Sequence, residues 1–364
     1  MEGGSTQCMG SNRARMRVLL IGPAWDTGQW VEYCAAGLVG IGHDVVMHRY
    51  SAGLDRPAGP WARLQRRLVG ADRFHMERVL GVLRRDNLDV LKVAAQHRPE
   101  LTVVLKGEVL LPETIERIGH LTDGPMVHWS GDDPTWFPNI VAAAHLYDRF
   151  FLADPSYAQD IEARNVTAQF LPHAADPSIW VGDDAGSDTV DIIFVGDARH
   201  NMGHLPEDRY RVDIVEAIAQ ADVSLAVWGR GWEKLEANYK VGSVHRGLTL
   251  LPAAAVARAY RGAKISLNVH HAQMREAPNM RTFEIPSAGA FQLTDYKTRM
   301  ADLFDVGTEL AVYKDSDDLL TLIDRYLGDP QARHDIAVAG RRRVERDHTY
   351  EVRMRQLVEA ALGK

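Results

Sequence analysis

The stretch EAPNMRTFEIPSAGAFQLT, residues 276–294, follows an apolar run at 265–269 that reads as a buried parallel strand. Pro278 turns the chain just before a short helix that starts near Arg281, and Gly289 closes that helix after a few residues. A further strand, 290–293, begins at once. The helix start gathers Asn279, Arg281, Thr282 and Glu284. Unpaired N–H groups and a partial positive charge make such a start a seat for phosphate. Arg281 adds a forked, charge-assisted donor suited to a diphosphate. An arginine beside the positive helix end is otherwise unfavourable, and an anion there removes the conflict. Glu284 can accept two hydrogen bonds from a ribose diol. Diphosphate and ribose together make a nucleotide.

Outward from this stretch, the pattern is one of alternating strands and helices. Residues 17–22 (RVLLIG) form a strand ending in a Gly-Pro turn, a helix follows over 29–41, and 44–47 starts a second strand. This βαβ opening predicts a parallel, doubly wound sheet. Its first loop, GPAWDTG, is not a G-x-G-x-x-G fingerprint, which argues against a nicotinamide or flavin enzyme. Trp25, with Asp26 beside it, is either an acceptor platform or a loop aromatic packed on the next helix. Helices over 76–97 and after Pro112, and strands at 101–105, 126–129, 147–152 and 168–171, complete a sheet of about six strands. The same rhythm restarts at 191–196. Strands at 223–228, 265–269, 290–293 and 309–313 and helices to the end make a second α/β domain. The expected division is a disordered tail over 1–15, a first domain over 16–175, a polar linker over 176–188, a second domain over 189–346 and a final helix over 347–364.

Composition sets the outer limits. The chain has 364 residues, 46% hydrophobic and 25% charged, enough for two cores. A net charge of -7 argues against a nucleic-acid partner, which needs a basic face. No apolar stretch has membrane-spanning length, and the two cysteines, Cys8 and Cys34, do not read as a structural disulfide, so a reducing cytoplasm is the expectation. The sequence leaves the oligomeric state open.

The loop Trp129-Ser130-Gly131-Asp132-Asp133-Pro134-Thr135-Trp136 sets two carboxylates at a strand end. Asp132 reads as a general base or a ligand of a substrate hydroxyl, against the plainer alternative of a turn; Asp133 reads as a helix cap. His173 begins the linker, either structural or in contact with ligand. Arg199 is a phosphate candidate or a solvated loop arginine. Gly229 and Gly231, flanking Arg230, read as turn glycines that also let a nucleotide base approach. His270 and His271 point to opposite faces of a strand and make a poor metal pair, so no metal site is expected. Phe283, Ile285 and Phe291 read as core.

The ordered set W-x-x-D-D-P (129–134), L-P-x-A-x-D (171–176), F-V-G (194–196), W-G-x-G-W (228–232), L-N (267–268), R-T-F-E-x-x-x-x-G-A-F (281–291) and R-x-x-I-A-x-x-G-x-x-R-V (333–344) resembles glycosyltransferases of the GT-B fold. More narrowly it is similar to the spore-maturation-protein CgeB-like group. The resemblance implies two Rossmann-like domains facing a cleft, with the last helix crossing back to the first domain. It implies a metal-independent transferase with no cofactor besides its nucleoside-diphosphate-sugar donor, which sits on the second domain. Donor contacts would be Gly196, Arg199, Gly229, Arg230, Asn279, Arg281, Thr282 and Glu284. The acceptor would meet Trp25, Asp26, Trp129 and His173. Glu276 and Glu284 have the E-x7-E spacing of retaining family-four enzymes, in which the first glutamate faces the donor sugar; Glu276 and Asp132 are therefore the catalytic candidates. A nucleotide-sugar epimerase and a non-catalytic spore-coat or complex-forming protein of this fold are the alternatives.

Overall fold

The computed structural model describes residues 15–24, 30–50, 71–180, 190–198, 209–235, 239–248 and 252–363. Trp25, Asp26 and Arg199, the terminal tail before residue 15 and most of the expected linker lie outside the described residues. The first sheet comprises β1 (Arg17–Pro23), β2 (Asp44–Tyr50), β3 (Leu101–Leu105), β4 (Met126–Ser130), β5 (Arg149–Leu152) and β6 (Ala168–Phe170), all parallel, in the order β2-β1-β3-β4-β5-β6. Central strands such as LTVVL are buried at every position because helices cover both faces, which is why they read as continuous apolar runs without alternation.

The second sheet comprises β7 (Val190–Val195), β8 (Leu225–Trp228), β9 (His245–Gly247), β10 (Ala263–Asn268), β11 (Gln292–Asp295) and β12 (Ala311–Tyr313), in the order β12-β11-β10-β7-β8-β9. Read from the other edge this is the doubly wound order 3-2-1-4-5-6, with its reversal between β7 and β10. β9 is the strand that periodicity missed. Its three residues, His-Arg-Gly, carry no apolar pattern and become a strand only by pairing with the edge of β8.

The chain thus has GT-B architecture, two Rossmann-like parallel sheets with flanking helices, and its last helix crosses back. Tyr350, Met354, Leu357 and Val358 of helix Tyr350–Ala361 join Trp30, Tyr33, Cys34 and Leu38 in one buried cluster on the first sheet. Each fully buried apolar side chain there contributes roughly 1.5–3 kcal/mol gross. The approach is close: a Cβ at Gly37 would lie 2.7 Å from the Tyr350 carbonyl oxygen. Phe283, Ile285 and Phe291 are buried as expected. Helix Arg281–Ser287 ends as the sequence predicts: Gly289 takes φ +73°, and the Ala290 N–H returns to the Ile285 carbonyl at 3.3 Å.

Candidate active site

In open parallel sheets, ligands enter at the carboxyl ends of the strands where the strand order reverses. In the second sheet that gap lies between β7 and β10, and Arg281 is held there: its Nε donates to the carbonyl of Val195, the last residue of β7. One guanidinium nitrogen lies 3.6 Å from a Glu284 carboxylate oxygen. Glu284 is buried, and burial raises its carboxyl above the ordinary range while Arg281 pulls the other way. Such a carboxylate gains from any hydrogen-bond donor brought to it. Arg281 keeps about a third of its side chain exposed, so the fork is anchored at one end and open at the other.

The start of the Arg281–Ser287 helix differs from the sequence expectation. Thr282 N donates to Asn279 O at 3.1 Å, Phe283 N to Met280 O at 3.0 Å and Glu284 N to Met280 O at 3.1 Å. These N–H groups are engaged by the preceding turn and are not the open seat that the sequence suggested. Asn279 and Thr282 also point inward. The amides of Asn279 and Asn268 exchange two 3.0 Å hydrogen bonds, and the Thr282 hydroxyl lies 3.1 Å from Asn268 Nδ2. Beneath them His270 Nδ1 meets Asp295 at 2.6 Å. Burial and then this carboxylate act in opposite senses on His270, with burial prevailing and its pKa lowered. This inner net fixes the loop that carries Arg281 and Glu284.

Gly196 follows β7, and Gly229 and Arg230 follow the neighbouring β8. Gly229 adopts φ +143°, and a Cβ there would lie 2.1 Å from the Gly196 carbonyl oxygen, so backbone-on-backbone packing explains the glycine. Arg230 is exposed, and its N–H donates to Asp197.

Glu276 is exposed in side chain but fixed in backbone, and the residue that fixes it comes from the other domain. Asp154, just past β5, accepts from Glu276 N at 2.9 Å and Ala277 N at 3.0 Å. Tyr157 donates to the Gln273 carbonyl at 2.8 Å, and Arg275 lies over its ring. Neither Asp154 nor Tyr157 stood out in the sequence, because Asp-Pro-Ser-Tyr is an ordinary turn start. Asp154 indeed also caps Ser156.

On the first domain, Asp132 is partly exposed and forms an ion pair at 2.7 Å with Lys106, a residue the sequence reading did not single out. Asp133 caps the following turn by accepting from Thr135 N at 2.8 Å, as its Asp-Pro context predicts. Trp129 is placed differently from expectation: it is fully buried, its indole N–H donates to Leu171 O at 3.0 Å, and it forms part of the core. Cover on both faces of the sheet explains this, since every position of a central strand such as β4 is buried whichever way it points. His173 is also buried, with Nε2 3.2 Å from Gly131 O, and it ties the connection between the domains to the Asp132 loop. Among the described residues no three His, Cys, Asp or Glu side chains gather in a way that could hold a metal ion. A cavity of about 780 Å³ beside the interdomain connection, lined by Arg299, Arg343, Arg353 and Gln356 among others, shares none of the candidate residues.

Comparisons with known proteins agree with this layout. Residues 209–359 match the family model described as glycosyl transferase-like. No curated protein matches in sequence. Sucrose-phosphate synthase from Thermosynechococcus elongatus is similar in structure at a TM-score of 0.67 and 13% identity, covering 96% of this chain and 99% of that one. Anabaena HepE, solved in complex with UDP-glucose, is similar at 0.61 and 12% identity, covering 96% and 100%. A glycosyltransferase from Rickettsia africae is similar at 0.62 and 10% identity, covering 96% and 98%. The chain therefore has the two-domain GT-B fold of these structures, and its residues 209–359 match the glycosyl transferase-like family model.

Proposed function

We propose that this protein is a glycosyltransferase that moves a sugar from a nucleoside-diphosphate sugar to an acceptor hydroxyl, without a metal ion. The observation that carries the reading is the Arg281–Glu284 pair at the strand-order reversal of the second sheet. The open end of the Arg281 fork takes the diphosphate, and the buried Glu284 carboxylate takes the ribose diol. The bond from the anomeric carbon to phosphate breaks with its electron pair going to the diphosphate, whose growing charge Arg281 stabilises without reorganisation. The acceptor oxygen forms the new bond to that carbon as its hydroxyl proton passes to the Asp132 carboxylate, which holds the acceptor by a hydrogen bond. Glu276, held by Asp154, borders the donor sugar. The similar structure solved with UDP-glucose supports a uridine sugar as the first donor to try. The narrower likeness to the CgeB-like group rests on the sequence motifs, and a cytoplasmic location on composition.

The test is incubation with a panel of sugar nucleotides and hydroxylated acceptors, with and without EDTA, followed by mass spectrometry of the products. Transfer that persists in EDTA is the expected result. Activity abolished by chelation and restored by Mg²⁺ or Mn²⁺ overturns metal independence, and absence of nucleotide binding overturns the reading as a whole.

A further inference from the structure

A buried lysine stands at the crevice of the first sheet. Its strand order reverses between β1 and β3, and Lys106 is the residue that follows β3. Lys106 has φ +64° and Gly107 has φ +82°. A left-handed φ is uncommon in a residue with a side chain and persists only where the surroundings enforce it. Here Lys106 N donates to Trp129 O at 3.0 Å, and Gly107 N donates to the Tyr50 hydroxyl at 2.8 Å, which itself donates to the Glu108 carboxylate at 2.7 Å.

This backbone turns the lysine side chain inward. The side chain is 7% exposed, with Nζ 5.0 Å from the Phe137 ring centre and 2.7 Å from Asp132 Oδ2. Asp132 is 24% exposed. The pair is thus dry on its lysine side and open on its carboxylate side. For stability alone, apolar side chains of similar size would serve as well as a buried ion pair. A strained backbone and a desolvated cation at the ligand-entry edge of the sheet call for another reason.

We propose that Lys106 is a positioning residue for the acceptor: its buried ammonium fixes the orientation and charge of Asp132, so that the carboxylate is aimed at an acceptor hydroxyl. This rests on the transferase reading. Glu108 lies close enough for the Lys106 charge to act on its carboxyl. With the ammonium already paired to Asp132, the group lodged against that carboxylate is a hydroxyl, and a phosphate or carboxylate at that point is repelled.

The experiment uses the full chain, the sugar nucleotide and acceptor giving fastest transfer in the wild-type panel, and UDP as the binding probe. Lys106→Met keeps the apolar stem and removes the charge; Lys106→Arg keeps the charge. Lys106→Met should lower kcat/KM for the acceptor by about tenfold to a hundredfold, the scale of a mispositioned reacting group. Lys106→Arg should recover much of the loss. UDP affinity by calorimetry and slow hydrolysis of the sugar nucleotide should stay unchanged in both. Transfer by Lys106→Met at the wild-type rate overturns the inference, as does a loss of UDP binding in step with transfer, which would mark general damage. A wild type that binds no nucleoside diphosphate overturns the transferase reading first, and this inference with it.

Discussion

At the scale of single residues, Arg281 and Glu284 matter because each is held on one side and unfinished on the other. Arg281 spends one N–H on Val195 O, sets a second guanidinium nitrogen near Glu284 and keeps about a third of its side chain exposed; Glu284 is buried beside a cation with its carboxyl pushed up. Glu284→Gln keeps the shape and one acceptor oxygen but removes the charge. Hydrogen bonds to charged groups contribute roughly 1.5–3 kcal/mol, so nucleoside-diphosphate affinity should fall about tenfold to a hundredfold with the fold intact. Arg281→Ala should cost at least as much for the diphosphate and much less for the bare nucleoside. Calorimetry with both ligands on both variants separates the two effects, and wild-type binding by both would make the pair structural.

At the scale of elements, the loop before the Arg281–Ser287 helix is supported from two sides. The Asn268–Asn279–Thr282 net holds it from below, and Asp154 holds Glu276 and Ala277 from the opposite domain. The second support makes the donor loop sensitive to the first domain. Asp154→Ala removes the carboxylate acceptor of two N–H groups. At roughly 1.5–3 kcal/mol for a charge-assisted bond, amide exchange at Glu276 and Ala277 should quicken by about tenfold or more. Turnover should fall while exchange in β10 stays slow. Unchanged exchange at those two amides would mean that Asp154 serves only as the cap of Ser156.

At the scale of the whole molecule, the two domains are joined a second time where the last helix returns. Ala175 N donates to His348 O at 3.1 Å, and Arg353 Nε donates to Pro172 O at 2.9 Å. His348 lies between them. Arg353 can only donate and a carbonyl can only accept, so Nδ1, 2.7 Å from Arg353 Nη2, is the acceptor, and Nε2 carries the proton to Leu303 O at 2.7 Å. Burial, reinforced by Arg353, lowers the His348 pKa to about 4, against about 6.5 in an unfolded chain. The unfolded state therefore takes up a proton that the folded state refuses as pH falls from 6.5 towards 4. Stability from this group is complete above that window and is lost through it, by up to about 3 kcal/mol. Buried His128, lowered to about 3, adds to the same slope. Denaturant titrations at pH 4.5, 5.5 and 7 should show this decline, and His348→Asn, which keeps an acceptor for Arg353 without titrating, should flatten it. An unchanged slope would remove His348 from the account.

Much of this protein was legible without coordinates. Buried parallel strands are apolar throughout, and helix stops such as Gly289 have few substitutes, so the two-sheet architecture and the short Arg281 helix followed from local chemistry. The sequence by itself also brought Arg281 and Glu284 together, since three positions along a helix is one turn. Tertiary structure decided what depended on distant partners. Trp129 went to the core because its face of the sheet is covered, and Asn279 and Thr282 turned inward because Asn268, a strand away, meets them. β9 exists only against β8. Asp154 and Lys106 were silent in the sequence: a turn aspartate and a lysine after a strand are commonplace until folding sets one against the Glu276 backbone and buries the other against Asp132. Their meaning lies in contacts between residues 122 and 26 positions apart, and no local pattern carries those.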